Sequence, residues 1–309
     1  MRDRPVNLPA SISARLRIIA RAKQVNPELI LRRYALERLL SRLSLSPYHD
    51  RFILKGAMLF TVWLADPYRP TQDLDLLGFG DAAVQSIATT FRAICRQDIP
   101  GDGLIFDADG LIAEAIREDQ QYGGVRVRTR ALLGRARIPI QVDVGFGDVI
   151  TPAPSEIEFP SLLHPNGPRL KAYPRETVVA EKFQAIVALG IANSRMKDFY
   201  DLLALSRLFS FDGLSLATAI RATFDRRQTS IPSRRPTGLG RTFASDRQKI
   251  AQWTAFLGRE PLLVEAGGLT GTIDAIAGFV MPPAQAARTG RDFAMTWNPT
   301  GPWHAMPRI

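Results

Sequence analysis

Apolar residues at helical spacing predict two helices at the start of the chain, over residues 9–24 and 27–43. The dipeptide Asn26-Pro27 separates them, since proline is tolerated at the first position of a helix and not within it. The second helix is expected to turn one face to solvent, formed by its charged residues Arg32, Arg33, Glu37, Arg38 and Arg42.

The middle of the chain alternates between strand and helix patterns. A short strand or turn over 52–54 leads into a helix after Gly56, and a strand over 73–77 is followed by a helix over 81–96. Two further strands are predicted over 122–131 and 138–146. In the last of these, Ile140, Val142 and Val144 share one face, which leaves Gln141 and Asp143 on the other.

The second half is mainly helical after a proline-rich connection over 151–174, with helices over 175–189, 195–208, 209–224 and 246–257. Residues 225–247 are arginine-rich and expected to be flexible, and residues 297–309 have no regular pattern. We expect an α+β protein with three parts: N-terminal helices packing on the core (1–50), the core (51–160), and a mainly helical C-terminal domain containing the basic segment 225–247 (161–309).

Composition excludes several classes of protein. Of the 309 residues, 46% are hydrophobic and 23% charged, as in ordinary globular proteins, and no apolar run approaches the roughly 20 residues of a membrane span. Cys95 is the single cysteine and there are three histidines, which argues against a disulfide framework and a cysteine or histidine zinc site. We expect a cytoplasmic protein with no membrane partner.

The net charge of +10 favours an anionic partner, and nucleic acid is the first candidate. A generally basic proteome or an acidic protein partner would explain the charge as well.

The chemistry concentrates between Lys55 and Asp75. Asp73 and Asp75 are two apart, so on a strand both carboxylates project from one face while Leu74 enters the core. Paired carboxylates repel unless a cation lies between them, and Mg²⁺ uses carboxylates together with substrate phosphates. Upstream, Gly56 would let the backbone approach a phosphate closely. An ordinary surface Asp pair and a helix-start glycine are the simpler interpretations.

Five pieces of the sequence carry a family resemblance. They are Phe52-Ile53-Leu54-Lys55-Gly56-Ala57, Arg69-x-Thr71-x-Asp73-Leu74-Asp75-Leu76, Val142-Asp143-Val144-x-x-Gly147-Asp148, Ala172-Tyr173-Pro174-x-Glu176-x-Val178-x-Ala180-Glu181-Lys182 and Arg195-Met196-Lys197-Asp198-x-x-Asp201-Leu202. In this order they resemble the AbiEii/AbiGii family of nucleotidyltransferase toxins, which includes MenT-type toxins and belongs to the polymerase-beta-like superfamily. Gly56-Ala57 departs from the Gly-Gly or Gly-Ser usual there.

The resemblance implies a polymerase-beta-like nucleotidyltransferase core, a small mixed sheet with helices, and a set of site residues. It implies Mg²⁺ (or Mn²⁺) held by Asp73, Asp75 and Asp143 against the triphosphate of an NTP substrate. It implies that Lys182 neutralises phosphate charge and that Asp198 orients Lys182 or contacts the nucleotide. The short link between the helices at 175–189 and 195–208 makes them antiparallel and can bring Lys182 and Asp198 together. The remaining nucleotide-binding candidates are Lys55, Gly56, Ala57, Arg69, Thr71, Arg195 and Lys197.

The same resemblance implies a toxin of a bacterial toxin–antitoxin or phage-defence pair, with its antitoxin encoded next to it. The reaction expected is transfer of a nucleotide from an NTP to RNA, with the tRNA acceptor end as the expected site. Two alternatives stay open: an enzyme of this fold acting on a protein or small molecule, and a nucleotide-binding interaction protein without activity.

Overall fold

The computed structural model describes residues 7–64, 71, 73–116, 123–258 and 262–305. They form an α+β protein with two compact units. The first contains the described residues of Met1–Gly147 and Ser155–Ala172, and the second those of Asp148–Pro154 and Tyr173–Ile309.

The first unit combines four helices with eight strands among its described residues. The helices are α1 (Leu8–Ala22), α2 (Pro27–Leu45), α3 (Leu59–Trp63) and α4 (Val84–Arg96), with 3-10 turns at His49–Arg51 and Gly56–Met58. The strands are β1 (Phe52–Lys55), β2 (Asp73–Gly78), β3 (Leu104–Phe106), β4 (Ile112–Ile116), β5 (Gly124–Leu133), β6 (Ala136–Phe146), β7 (Ser155–Glu158) and β8 (Arg169–Ala172).

These strands form one mixed sheet in the order β3-β5-β6-β2-β1-β8-β7, with β4 also paired to β5. The β2–β6 and β1–β8 pairs are parallel and the others antiparallel. One face buries the apolar residues of β2, β5 and β6, and α1, α2 and α4 contact the strands of this half of the sheet. The predicted alternation on β6 is confirmed: Val142 and Val144 are buried, while Gln141 and Asp143 are only half-buried.

The charged face of α2 is not the solvated face that its pattern predicted. Glu37, Arg38 and Arg42 are buried, and Arg32 and Arg33 are half-buried. Arg42 Nη1 lies 2.6 Å from Asp102 Oδ2, and the Glu37 carboxylate accepts from Ser161 Oγ at 2.6 Å and Leu162 N at 2.8 Å.

The prediction failed because helical spacing distinguishes a polar from an apolar face but cannot show that other segments cover the polar one. Here residues around Asp102 and Ser161 supply that cover, and they lie 60 or more positions away along the chain.

The second unit is mainly helical. Its helices are α5 (Arg175–Leu189), α6 (Met196–Leu208), α7 (Gly213–Arg226), α8 (Arg241–Ser245), α9 (Arg247–Leu257) and α10 (Leu269–Thr289), with 3-10 turns at Gly190–Ala192 and Thr237–Leu239. A small antiparallel sheet is formed by β9 (Phe211–Asp212), β10 (Met295–Trp297) and β11 (Trp303–Ala305).

Sequence patterns missed parts of this unit. The segment 225–247 is packed in its second half, where Leu239 and Phe243 are fully buried. The tail forms β10 and β11 instead of an irregular chain, and the indole nitrogen of Trp297 donates to Ser206 O at 2.7 Å. The pattern also gave no sign of α10, which contains Pro282 and Pro283 and many small residues. These errors reflect packing partners distant in sequence.

The division into units differs from the expected boundary at residue 160. Residues 155–172 belong to the first unit because β8 pairs with β1, with Leu54 opposite Ala172, whereas 148–154 belong to the second. Among the helices of the described residues, none has the length and apolar character needed to cross a membrane.

Candidate active site

Three aspartates share one face of the large sheet, and we call them the acid row. Asp75 on β2 lies directly opposite Asp143 on β6, its parallel neighbour, and Asp73 precedes Asp75 by two positions. All three are half-buried, whereas the intervening Leu74 and Val142 are buried. The predicted same-face arrangement of Asp73, Asp75 and Asp143 is therefore confirmed in the backbone register.

Cationic residues flank the acid row on both sides. On β1, Lys55 is opposite Asp75, and on β5, Arg126 is opposite Asp143. The Lys55 ammonium also reaches towards β6, because a Cβ placed on Gly145 would lie 3.5 Å from Lys55 Nζ. Strand register thus places Lys55, Asp75, Asp143 and Arg126 side by side across four strands.

Arg126 donates two parallel hydrogen bonds to the carboxylate of Asp143. Nε donates to Oδ1 at 2.8 Å and Nη2 donates to Oδ2 at 2.7 Å, in the bidentate geometry that suits a guanidinium and a carboxylate. The hydrogen bond to Asp143 raises the pKa of Arg126, with a smaller contribution from the charge of Asp143. The sequence pattern did not single out Arg126 as a site residue, although the alternation of β5 places it on the face opposite the buried valines.

Gly56 lies against the acid row and has two reasons to be glycine. Its φ is +75°, in the region that side-chain-bearing residues rarely adopt. A Cβ there would be 2.0 Å from Asp75 Oδ2 and 2.7 Å from the Asp75 Cβ. The backbone after β1 therefore approaches the carboxylate as closely as a glycine allows, and the following Ala57 is half-buried.

Thr71 fixes the start of β2. Its hydroxyl donates to Asp73 O at 2.9 Å and accepts from Asp73 N at 3.4 Å. This places Thr71 next to the acid row as a local brace, a role that its side chain performs without any ligand. The other candidate of this stretch, Arg69, lies outside the described residues.

A second cluster lies in the helical unit, and we call it the lysine cluster: Lys182, Arg195, Asp198 and Asp201. Lys182 Nζ is 2.8 Å from Asp198 Oδ1 and 2.8 Å from Asp201 Oδ2. Arg195 Nε is 2.7 Å from the other oxygen of Asp198. The predicted meeting of Lys182 and Asp198 across the short link is confirmed.

Both aspartates of the lysine cluster are almost fully buried. The side chains of Asp198 and Asp201 are 0% and 1% exposed, and that of Lys182 15%. Burial by itself would raise the pKa of Asp198, but the charges of Lys182 and Arg195 outweigh it, so that the pKa lies below its ordinary value. Helical spacing would allow Asp201 to pair with Lys197, four positions earlier on the same helix. In the structure Asp201 forms an ion pair with Lys182 on the neighbouring helix, and Lys197 is exposed.

With this geometry established, comparison with known proteins decides the family. The family model described as "Nucleotidyl transferase AbiEii toxin, Type IV TA system" matches residues 38–277. The chain belongs to the AbiEii family of nucleotidyltransferase toxins. Membership implies an antitoxin partner, as in the type IV toxin–antitoxin system that the family description names.

Two solved structures resemble this AbiEii protein. JHP933 from Helicobacter pylori is 14% identical with a TM-score of 0.48, covering 86% of this chain and 94% of its own. A provisionally assigned nucleotidyltransferase from H. pylori is 13% identical with a TM-score of 0.46, covering 86% of this chain and 97% of its own. No curated protein matches in sequence. The family assignment rests on the family model and not on these structures.

The acid row of the AbiEii protein fits a divalent cation in its chemistry. Carboxylate oxygens are the ligands that Mg²⁺ and Mn²⁺ prefer, and the glycine at position 56 puts no side chain over Asp75 Oδ2. As the side chains stand, however, both oxygens of Asp143 are taken by Arg126. Within the described part of the chain, no three His, Cys, Asp or Glu side chains are already gathered closely enough to hold a metal ion.

A further ion network in the helical unit explains two residues of the family pieces. Arg227, at the end of α7, places Nη2 at 2.9 Å from Asp148 Oδ1 and 3.5 Å from Glu181 Oε2. Its Nη1 donates to Gln184 Oε1 at 2.9 Å. Burial lowers the pKa of Arg227, but Glu181 and Asp148 more than offset this and raise it. Asp148 and Glu181 therefore have a structural role, and Arg227 is not a surface arginine of the basic segment.

Proposed function

We propose that this AbiEii protein transfers a nucleotide from an NTP to RNA in a reaction that depends on Mg²⁺ (or Mn²⁺), with the tRNA acceptor end as the acceptor. The observation that supports it is the acid row. Asp75 and Asp143 face each other across β2 and β6, Asp73 shares their face, and Gly56 brings the backbone against Asp75.

In this proposal, Asp73 and Asp75 hold the cation against the triphosphate and Asp143 completes the site. A bound divalent ion would supply Lewis-acid stabilisation of the phosphoryl group and activate the attacking hydroxyl. Arg126 binds both oxygens of the Asp143 carboxylate, each of which keeps a second lone pair for the cation, and its positive charge limits repulsion among the three aspartates.

The proposal keeps the roles that the family resemblance implies for the remaining residues. Lys182 Nζ acts as a compact positive charge on the phosphates, and Asp198 holds it in position. Lys55, with its ammonium next to the acid row, is placed to compensate negative charge there. Arg195 and Lys197 remain nucleotide-binding candidates.

RNA is favoured over a protein or small-molecule acceptor by the net charge of +10, because a polyanion gains most from a basic protein. We further propose that the protein works in the cytoplasm, where NTPs and tRNA are available, and that its antitoxin is encoded next to it.

Nucleotide transfer tests this function directly. Purified protein is incubated with each α-labelled NTP, Mg²⁺ and total RNA, beside the Asp75→Asn variant. Loss of a metal-ligand carboxylate removes several kcal/mol of transition-state stabilisation, so labelling of RNA should fall by about 1000-fold. Asp109→Asn is the matched control, because Asp109 is 90% exposed in an ion pair with Arg96.

Asp109→Asn should label RNA like the wild type, and both variants should melt within a few degrees of it. Equal labelling by wild type and Asp75→Asn would disprove the role of the acid row. Label appearing in protein or in a small molecule, with none in RNA, would establish the alternative acceptor class.

A further inference from the structure

Four arginines extend along the β5–β6 hairpin from the acid row, and we call them the arginine row: Arg126, Arg128, Arg130 and Arg137. Register puts them on the face that carries the aspartates. Arg126 is opposite Asp143, and Arg128 is opposite Gln141. Arg137 is opposite Leu132, which lies on the same face of β5 as Arg126, Arg128 and Arg130 because it follows them at two-residue spacing. The intervening Val125, Val127, Thr129 and Ala131 are buried on the other face.

The outer members of the row are accessible. Arg128 and Arg130 have side chains that are 49% and 55% exposed. Each lies beside an acidic residue, Glu114 at 2.8 Å and Asp107 at 3.1 Å, in ion pairs that are open to solvent. Exposed pairs of this kind hold weakly, and a guanidinium has five donors, so each arginine can still bind a phosphate.

The spacing of the row suits a single extended backbone. Residues two apart on a strand are separated by roughly 6.5–7 Å, so Arg126, Arg128 and Arg130 present guanidinium groups at regular intervals over about 13 Å. The row is one arginine wide, whereas a duplex would present two backbones. Positive grooves that track one backbone are typical of proteins that bind single strands.

Apolar side chains accompany the row. Ile112 on β4 is opposite Arg128, and Ile105 on β3 is opposite Leu132. Ile105 is 68% exposed and Ile112 64%. They offer apolar surface beside the cations, against which bases can pack while the phosphates meet the arginines.

We propose that the arginine row holds the phosphates of the single-stranded end of the RNA acceptor and leads its terminal hydroxyl to Asp143. The proposal rests on the function proposed above, in which Asp143 belongs to the reaction centre. It assigns the acceptor strand to one face of the first unit. The basic segment 225–247 is a weaker candidate, because Arg227 is half-buried and held in its ion network, and Arg235 pairs with Asp274 at 2.6 Å.

Binding of a labelled single-stranded oligoribonucleotide without NTP tests the row apart from catalysis. The double variant Arg128→Gln/Arg130→Gln avoids Arg126 and the acid row. We expect its affinity to fall roughly tenfold or more. The slope of log K against log salt should become shallower by about 1.4, at roughly 0.7 for each phosphate that the variant no longer neutralises. A fourfold rise in salt should then weaken wild type about sevenfold more than the variant.

Arg17→Gln/Arg21→Gln is the matched control, because both residues are exposed on α1 and the change in net charge is identical. It should bind the oligonucleotide like the wild type. In transfer assays the row variant should show a raised KM for RNA with kcat retained at saturating RNA.

Each outcome bears on the row separately from the function. If the wild type labels RNA while the row variant binds RNA as tightly as the control, the row is overturned and the function stands. If the row variant loses RNA binding and the wild type transfers nothing, the row stands as an RNA surface and the proposed reaction falls. If the row variant loses affinity for a poly-glutamate peptide as strongly as it loses affinity for RNA, the RNA assignment is overturned in favour of an acidic protein partner.

Discussion

The acid row and the lysine cluster solve opposite electrostatic problems. In the acid row, three half-buried aspartates are flanked by Lys55 and Arg126, and the five side chains carry a net negative charge. In the lysine cluster, two cations meet two almost fully buried carboxylates, and the charges cancel.

The difference follows from what each site must tolerate. A part-exposed group of like charges on strands stays compatible with folding because water and neighbouring cations screen it. Buried carboxylates between helices must be paired, because an uncompensated charge in the interior is costly. Substitutions in the acid row should therefore mainly affect activity, whereas those in the lysine cluster should affect stability as well.

Removing the central cation of the lysine cluster should have the largest effect on stability. Lys182→Ala leaves Asp198 and Asp201 buried without it, and breaking a buried pair typically costs about 3–5 kcal/mol. The free energy of unfolding, measured by urea titration, should fall accordingly. If Lys182 only paired with Glu176 or Glu181 at the surface, its loss would cost about 0–1 kcal/mol.

Lys197→Ala is the control, since Lys197 is an exposed lysine on the same helix as the two aspartates. Its unfolding free energy should stay within about 0.5 kcal/mol of the wild type. The combination of Lys182→Met with Asp201→Asn should cost less than the sum of the single changes, because it removes charge of both signs. Additive costs would contradict the pairing.

A matched pair of glycines separates steric contact with the acid row from backbone strain. Gly56 and Gly101 have φ of +75° and +85°, but a Cβ on Gly101 meets nothing within 4 Å. Gly101→Ala should cost about 1–2 kcal/mol for its positive φ alone. Gly56→Ala should cost about 1–3 kcal/mol more, because its Cβ would overpack against Asp75. It should also lower nucleotide transfer.

Thermal melts and transfer assays of both variants measure these effects. Equal destabilisation by Gly56→Ala and Gly101→Ala would show that the Asp75 carboxylate moves aside at no cost. Loss of activity in Gly101→Ala as well would remove the special role of position 56.

The smallest effect expected is a change in pH dependence. The pKa of Asp198 is lowered in the folded protein, so its contribution to stability is present above the unfolded pKa of about 3.9 and is lost as pH falls through the folded pKa. The stability gap between wild type and Asp198→Asn should therefore narrow below about pH 4, by at most about 1.4 kcal/mol per pH unit.

Urea titrations across this range measure the gap. A stability gap that widens towards acid pH would mean that burial, and not the charges of Lys182 and Arg195, has the larger effect on the pKa of Asp198.

Local sequence patterns predicted much of the candidate site. Alternation on β6 placed Asp143 opposite the buried face, and the helix pattern placed α5 at the residues observed, Arg175–Leu189. The brief link after Gly190 brought Lys182 to Asp198. Each of these depends on periodicity within one element or on a link of a few residues, which the order of amino acids specifies directly.

The rest required long-range packing. The pairing of Arg126 with Asp143 depends on the register between β5 and β6. The ion pair between Lys182 and Asp201 depends on the packing of α5 against α6. The burial of Glu37 and Arg42 on α2 likewise depends on segments that fold over them.

The sequence by itself therefore determined which residues of β6 alternate, where α5 begins and ends, and which family the chain resembles. Only the tertiary structure decided that Asp75 stands beside Asp143, 68 positions away, and that Arg126 binds the latter. The physical reason is that side-chain periodicity is a property of one element, whereas register and burial are set jointly by all the elements that compete for the same core.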